Sequence, residues 1–358
     1  MTRQPIGVGI VGYGYAGAVL HPALLQAVDG FALRAVMARD AVRRRAAEER
    51  HELRAYASIE ALLEDPAVEL VVVATPHDAH EEAVVRALAA GRHVVCEKVM
   101  ALSLAAADRM VAAAAHSGTL LAVFHNRRWD GDYATIQRLV RAGTLGSLRW
   151  VEIAIHTHKT PRTWRNDPER CGGLFYDWGA HLVDQALQLV PGRAEGVSGF
   201  SIWSGGKPGV GRELFARCQI RFDSGQWASL EVSYASRIGK PHWFVVGDRG
   251  TLCKDGLDPQ EAAIRRGCLA DAAEDPGQRA RVRAELDGLL VDMLVDTVPG
   301  RWTAFYENVR DAIRANAALE ASAAQGRDVV AVLEAHARAV RTNTEVSVQT
   351  RTGGAQGV

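Results

Sequence analysis

Apolar positions follow two regimes along this chain. From residue 6 to residue 124, short continuous apolar runs alternate with longer stretches of helical period. Residues 6–11, 31–37, 70–74, 93–96 and 120–124 read as strands, and Leu70-Val71-Val72-Val73-Ala74 is apolar throughout, as expected of a strand covered on both faces. Between them, the positions of Leu20, Leu24, Leu25 and Val28, then segments 41–50, 58–64, 80–90 and 103–115, read as helices. Strands separated by helices predict a doubly wound parallel sheet. After Phe124 the pattern changes. A helix at 132–141 and an alternating strand at 148–155 lead to a polar loop at 159–171, then to an amphipathic run ending near Leu189. Segments 195–203, 213–222, 226–234 and 243–246 read as strands with no helices between them. Ser224-Gly225 and Asp248-Arg249-Gly250 are turn signals, so this sheet is expected to be mainly antiparallel. Residues 259–276 read as irregular and charged, no element is assigned between 277 and 301, and 302–318 and 329–341 read as helices. The expected fold class is α/β: an N-terminal Rossmann-type unit (1–124), a C-terminal α+β unit with an open, mainly antiparallel sheet (125–348), and a disordered tail (349–358).

Composition narrows the function classes. The chain has 358 residues and equal numbers of acidic and basic side chains, 42 of each. No basic stripe marks it for nucleic acid, and no apolar run reaches membrane-spanning length. Its first residues lack the parts of a signal peptide. Cys96, Cys171, Cys218, Cys253 and Cys268 are scattered and odd in number. That argues for reduced thiols in a cytoplasm and against a disulfide framework or a cysteine zinc site. His156 and His158 share a strand face, but no third ligand is spaced to make a metal site with them.

The first strand runs directly into Gly12-Tyr13-Gly14-Tyr15-Ala16-Gly17 and then a helix. In that context the three glycines have separate tasks: a tight turn, close approach of backbone to a pyrophosphate, and close helix–strand packing. Ligands of such sheets bind outside the carboxyl ends of the strands, which carry Ala38-Arg39-Asp40, Thr75-Pro76-His77, Glu97-Lys98 and His125-Asn126. A small residue and then arginine after the second strand suits a 2′-phosphate better than two free ribose hydroxyls. NADP(H) is therefore the favoured cofactor, with NAD(H) the alternative through Asp40.

In the second unit, Gly172-Gly173 precede Asp177, His181 and Asp184, spaced to share one helix face. A histidine with a carboxylate a turn to either side would favour its protonated form and suit acid–base work near neutral pH. The same spacing also occurs on ordinary solvated helices.

These residues resemble the Gfo/Idh/MocA oxidoreductases over about 6–348. The resemblance rests on the Gly12–Gly17 turn, Thr75-Pro76 with His80, Glu97-Lys98, and the glycine pair followed by Asp177, His181 and Asp184. Asn126-Arg127-Arg128-Trp129-Asp130, with Trp164-Arg165 and the run 174–179, is most similar to the branch holding NADP-dependent scyllo-inositol dehydrogenases. The family usually has proline after the lysine, where this chain has Val99. The resemblance implies hydride transfer between a nicotinamide and a carbon of a cyclitol or sugar. It implies cofactor contacts from Gly12, Tyr13, Gly14, Tyr15, Ala16, Gly17, Ala38, Arg39, Thr75, Pro76, His80, Glu97 and Lys98. By the same resemblance Lys98 polarises the substrate oxygen, His181 exchanges its proton, Asp177 positions substrate or histidine, and Asp184 supports His181 or the helix. Substrate contacts are expected from Lys98, Asn126, Arg127, Trp164, Arg165, Asp177 and His181, and a homodimer or homotetramer through the C-terminal sheet. Two other readings stand beside this one. They are a ketoreductase acting on a nucleotide-linked or aminosugar intermediate, and a cofactor-binding sensor without catalysis.

Overall fold

The computed structural model describes residues 4–160 and 163–353. Six strands form the first sheet: β1 (Ile6–Val11), β2 (Phe31–Met37), β3 (Arg54–Tyr56), β4 (Leu70–Val73), β5 (His93–Cys96) and β6 (Leu121–Val123). Their order is β3-β2-β1-β4-β5-β6 and every pair is parallel. The order reverses at β1, which puts a binding crevice at its carboxyl end. β1 and β4 are buried along their whole length, as the continuous apolar runs require. β3 is the one strand of this sheet that the pattern did not predict, a three-residue edge strand too short to show alternation.

The second sheet contains β7 (Leu148–His156), β8 (Ala194–Trp203), β9 (Glu213–Phe222), β10 (Trp227–Ser233), β11 (Trp243–Gly247), β12 (Gly250–Lys254), β13 (Ala280–Leu286), β14 (Leu289–Val295) and β15 (Val346–Ser347). Its order is β14-β13-β12-β11-β7-β10-β9-β8-β15. Only β7 and β10 pair in parallel. Helices Ala180–Leu189 and Ala323–Thr342 cover one face. The other face carries the exposed side chains of Trp150, Phe200, Ile202 and Trp227.

Three expectations fail in this region. Asp248-Arg249 turn the chain from β11 into β12 where the turn signal stood, but the strand β12 itself was not expected. Residues 280–295 form a hairpin across Asp287-Gly288, both at positive φ, which is the favoured two-residue hairpin turn. Its signal was masked because β14 exposes leucines instead of alternating cleanly. The stretch expected to be irregular contains the helix Gln260–Arg266.

Chain order also departs from packing order. Trp302, Phe305, Tyr306 and Val309 belong to the same core as Ile6, Val8 and Ile10 of β1, with Phe124 and Phe305 rings 4.9 Å apart. A late helix, Thr303–Ala315, therefore packs onto the first unit. The expected disordered tail is corrected for its first part. Thr350 is buried, and the Arg351 and Thr352 amides donate to Asp328 at 3.0 and 2.7 Å. Residues 354–358 lie outside the described residues. No helix among the described residues is long and apolar enough to cross a membrane.

Candidate active site

A cleft of about 1050 Å³ opens where β1, β2, β4 and β5 end, walled on the far side by the second unit. Its first wall is the turn after β1. Gly12 sits at φ 102°, and a Cβ there would meet the Ala74 carbonyl carbon at 2.8 Å. A Cβ on Gly17 would collide with the Gly12 carbonyl oxygen, whereas a Cβ on Gly14 would meet nothing within 4 Å. The space in front of Gly14 is therefore open to the cleft, as a dinucleotide's pyrophosphate requires. Gly12, Tyr13, Gly14, Tyr15, Ala16, Ala38, Arg39, Thr75, Pro76, Glu97 and Lys98 all line this cleft. Gly17 serves packing instead. His80 does not reach the cleft wall. Its ring is fully buried between the Val99 carbonyl (2.8 Å) and the Thr75 carbonyl (3.0 Å), so it ties the ends of β4 and β5 together.

At the second strand end, Asp40 Oδ1 accepts from the Val42 and Arg43 amides at 2.7 and 3.3 Å and caps the helix Ala41–His51. Arg39 is exposed and forms no ion pair among the described residues.

Lys98 lies two residues past the end of β5, and the Lys98–Val99 peptide that follows it is cis. Its ammonium donates to Asp177 Oδ1 at 2.9 Å and to the Asp177 carbonyl at 2.6 Å. Thus the two units meet at this pair, and Val99 in place of proline does not keep Lys98 from the site. Arg165 Nε donates to the other carboxylate oxygen at 3.1 Å. Burial alone would raise the Asp177 pKa, but Lys98, Arg165 and His77 outweigh it and hold the carboxyl well below its ordinary range. Behind Lys98, Glu97 contacts His21 Nε2 at 3.1 Å, and His21 Nδ1 lies 2.7 Å from the Tyr306 hydroxyl.

The catalytic-type run begins with Gly172 and Gly173 at φ 79° and 99°. A Cβ on Gly173 would lie 2.8 Å from Glu213 Oε2. The absence of side chains there lets Glu213 reach the Phe175 amide at 2.9 Å and neutralise the helix's N-terminal dipole. Phe175–Gly179 is a π-helical turn that runs into the helix Ala180–Leu189. His181 lines the cleft, with its Nδ1 enclosed and unpartnered among the described residues.

The expected electrostatics of His181 are corrected. Its pKa is lowered well below 6.5, by burial first and then by the positive charges of Lys98 and Arg127. The carboxylates that were to raise it are engaged elsewhere. Asp177 faces Lys98 and Arg165, and Asp184 holds Arg128 through both oxygens at 2.8 and 2.5 Å. Asp184 thus secures the segment after β6, not His181. The run is helical as expected, but its first turn is π-helical, Asp184 does not line the cleft with Asp177 and His181, and the partners of both carboxylates come from other elements.

Asn126, Arg127, Trp164 and Arg165 line the same cleft. Arg127 bonds Asp130 at 2.9 Å and reaches Glu261 at 3.4 Å, with its guanidinium 5.0 Å from the Trp178 ring centre. Arg162 lies outside the described residues. His156 contacts Glu231 and Ser236, each at 3.1 Å, and His158 is exposed and off the cleft wall. His77, which the sequence placed at a strand end of the ligand crevice, lines the cleft, whereas sequence reading gave no site role to Lys159, Trp178, Tyr234, Glu261 and Arg265, all on the cleft wall. Glu261 and Arg265 form an i, i+4 pair at 2.7 Å, and Arg265 lies 3.8 Å from the Tyr15 ring centre. That helical spacing was the available signal.

Comparison with known proteins agrees with this geometry. Residues 6–125 match the oxidoreductase family with an NAD-binding Rossmann fold, and residues 133–253 match the GFO/IDH/MocA C-terminal domain. The chain is 31% identical over 349 residues to scyllo-inositol 2-dehydrogenase (NADP(+)) IolW of Bacillus subtilis, covering 92% of each chain. It is 28% identical to myo-inositol 2-dehydrogenase of Thermotoga maritima, over 76% of this chain and 80% of that one. The solved structure of the putative oxidoreductase yvaA from Bacillus subtilis superposes with a TM-score of 0.89 at 26% identity, covering 97% of this chain and 99% of that one. With both halves of the chain matched and the lysine, aspartate and histidine gathered beside the glycine turn, the protein belongs to the Gfo/Idh/MocA family of oxidoreductases.

Proposed function

We propose that this enzyme transfers hydride between NADP(H) and a CH–OH carbon of a cyclitol or sugar. The observation that carries the reading is the meeting of Lys98, Asp177 and His181 in the cleft that also holds the open face of Gly14. The bound nicotinamide supplies or receives the hydride. The chain's own residues do the rest. Lys98 places a positive charge where a substrate oxygen gains negative character. Asp177 fixes the direction of that ammonium through two hydrogen bonds. His181, held neutral by its surroundings, takes the hydroxyl proton in oxidation and returns it in reduction.

NADP(H) is supported by Arg39 at the end of β2, by Asp40 turned to its capping task, and by the NADP(+) for which the Bacillus relative is named. The open face of the second sheet, with Trp150 and Trp227 exposed, supports a homodimer or homotetramer formed through it. The five unpaired cysteines support a cytoplasmic setting.

The test is a panel of cyclitols and sugars assayed with both cofactors by nicotinamide absorbance, with Arg39→Ala beside the wild type. Turnover of a polyol with NADP⁺, and a loss of NADP⁺ affinity in Arg39→Ala larger than any loss for NAD⁺, are expected. No turnover of any CH–OH compound or its ketone defeats the reading of the reaction. Equal losses for the two cofactors defeat the assignment of Arg39.

A further inference from the structure

Lys159 has no task in the proton and hydride steps, yet it belongs to the same cleft. It lies on the exposed loop that follows β7, and its amide donates to the Tyr234 carbonyl at 3.2 Å. Its ammonium sits 4.7 Å from the Tyr234 ring centre and 5.3 Å from that of Trp178. Those two rings are themselves fixed by a 2.7 Å bond from Trp178 Nε1 to the Tyr234 hydroxyl. Two aromatic faces thus hold a cation beside the catalytic helix. Lys159 forms no ion pair among the described residues.

The neighbouring charges are unbalanced in the same direction. Lys98, Arg127, Lys159 and Arg165 line this end of the cleft against Asp177 and Glu261. Both oxygens of Asp177 already accept, one from Lys98 and one from Arg165. Glu261 receives Arg127 and Arg265. Arg165 uses only Nε on Asp177, and its guanidinium lies over the Trp164 ring at 4.5 Å. A neutral polyol needs acceptors for its hydroxyl hydrogens as well as donors. Here each carboxylate oxygen of Asp177 and Glu261 already accepts from a cation, and cationic donors outnumber the two carboxylates.

We propose that the polyol taken by this cleft carries an anionic oxyacid group, a carboxylate or a phosphate monoester, and that Lys159 and Arg165 receive it. This deepens the polyol dehydrogenase reading and rests on it. The anion replaces water around a cation already held by two rings, so little further ordering is needed on binding.

The experiment compares neutral compounds (myo-inositol, glucose) with phosphate esters (myo-inositol 1-phosphate, glucose 6-phosphate) and carboxylates (glucuronate, gluconate), each with the preferred cofactor. At least one acid is expected to exceed its neutral parent in kcat/KM by about tenfold or more, mainly through KM, as one charge-assisted contact allows. Which acid wins distinguishes phosphate from carboxylate. Lys159→Gln should erase most of that advantage and Lys159→Arg should keep it. In the wild type the advantage should shrink as salt rises to about 0.5 M, a readout that does not depend on any variant folding. Turnover of neutral polyols at least as efficient as that of every acid overturns the proposal while leaving the polyol reading intact. An acid preference indifferent to both salt and Lys159→Gln overturns it too. Absence of turnover with all of these compounds removes the polyol reading together with the proposal.

Discussion

Lys98 and Asp177, 79 positions apart in the chain, are joined twice: the Lys98 ammonium donates to both the carboxylate and the main-chain carbonyl of Asp177. The side-chain contact positions charge, and the carbonyl contact fixes the ammonium to the backbone of the π-helical turn. The lysine of one unit therefore takes its orientation from the other. The geometry of the candidate site depends on how the two units dock.

That pair should be coupled in stability as well as in activity. Both side chains are about nine-tenths buried, so removing one partner leaves the other's charge poorly compensated, at a cost of about 3 kcal/mol. Lys98→Met and Asp177→Asn should each lower the urea midpoint. The double variant should be less destabilised than the sum, with a coupling of about 1–3 kcal/mol. Strictly additive losses would show that the contact carries no stability.

Gly14→Val is expected to abolish dinucleotide binding without unfolding the protein. A Cβ at this position meets no protein atom within 4 Å, so the apo fold has room for it. The branched side chain would stand where the pyrophosphate must approach. Titration by tryptophan fluorescence reads the affinity and thermal melting reads the fold. An unchanged affinity would move the cofactor elsewhere.

The pH dependence of oxidation follows from the surroundings of His181. The base must be unprotonated to take the hydroxyl proton, and burial with the nearby cations lowers its pKa well below 6.5. The unprotonated form then persists to lower pH, and the acidic limb of kcat should lie below 6.5. His181→Ala should remove that limb and lower turnover by about 10²–10⁴-fold. A limb at or above 6.5, or one retained in the variant, would assign proton transfer to another group.

Stability should fall as the solution is acidified from about pH 6.5. Burial lowers the pKa of His77 to about 3 and of His125 and His336 to about 4. Below 6.5 the unfolded chain takes up protons at these positions and the folded chain does not until pH nears 4. The unfolded state is therefore favoured progressively across that window. Denaturant midpoints measured between pH 7 and about 4.5 should decline. A flat profile would mean that these rings are protonated in the folded protein.

Much of this protein is written in local sequence. Ile6–Val11 running into Gly12-Tyr13-Gly14 determines a strand, a turn and a helix start, because a continuous apolar run and a glycine's positive φ are short-range properties. The same holds for the glycine pair before Asp177 and for the helical spacing of Asp177, His181 and Asp184. What those residues face was decided only by tertiary structure. Helical spacing places side chains on one side of a cylinder but says nothing of what stands opposite. Lys98 and Arg165 came to Asp177, Arg128 came to Asp184, and His181 was left among cations, its proton affinity lowered where adjacent carboxylates alone would have raised it. The helix Thr303–Ala315 likewise returned to the first core, because burial of Phe305 and Tyr306 against Phe124 and His21 is a matter of shape, not of position along the chain. Interactions within a turn of chain were legible from the residues themselves; charge balance and contacts between residues distant in the chain depend on a packing that no local pattern encodes.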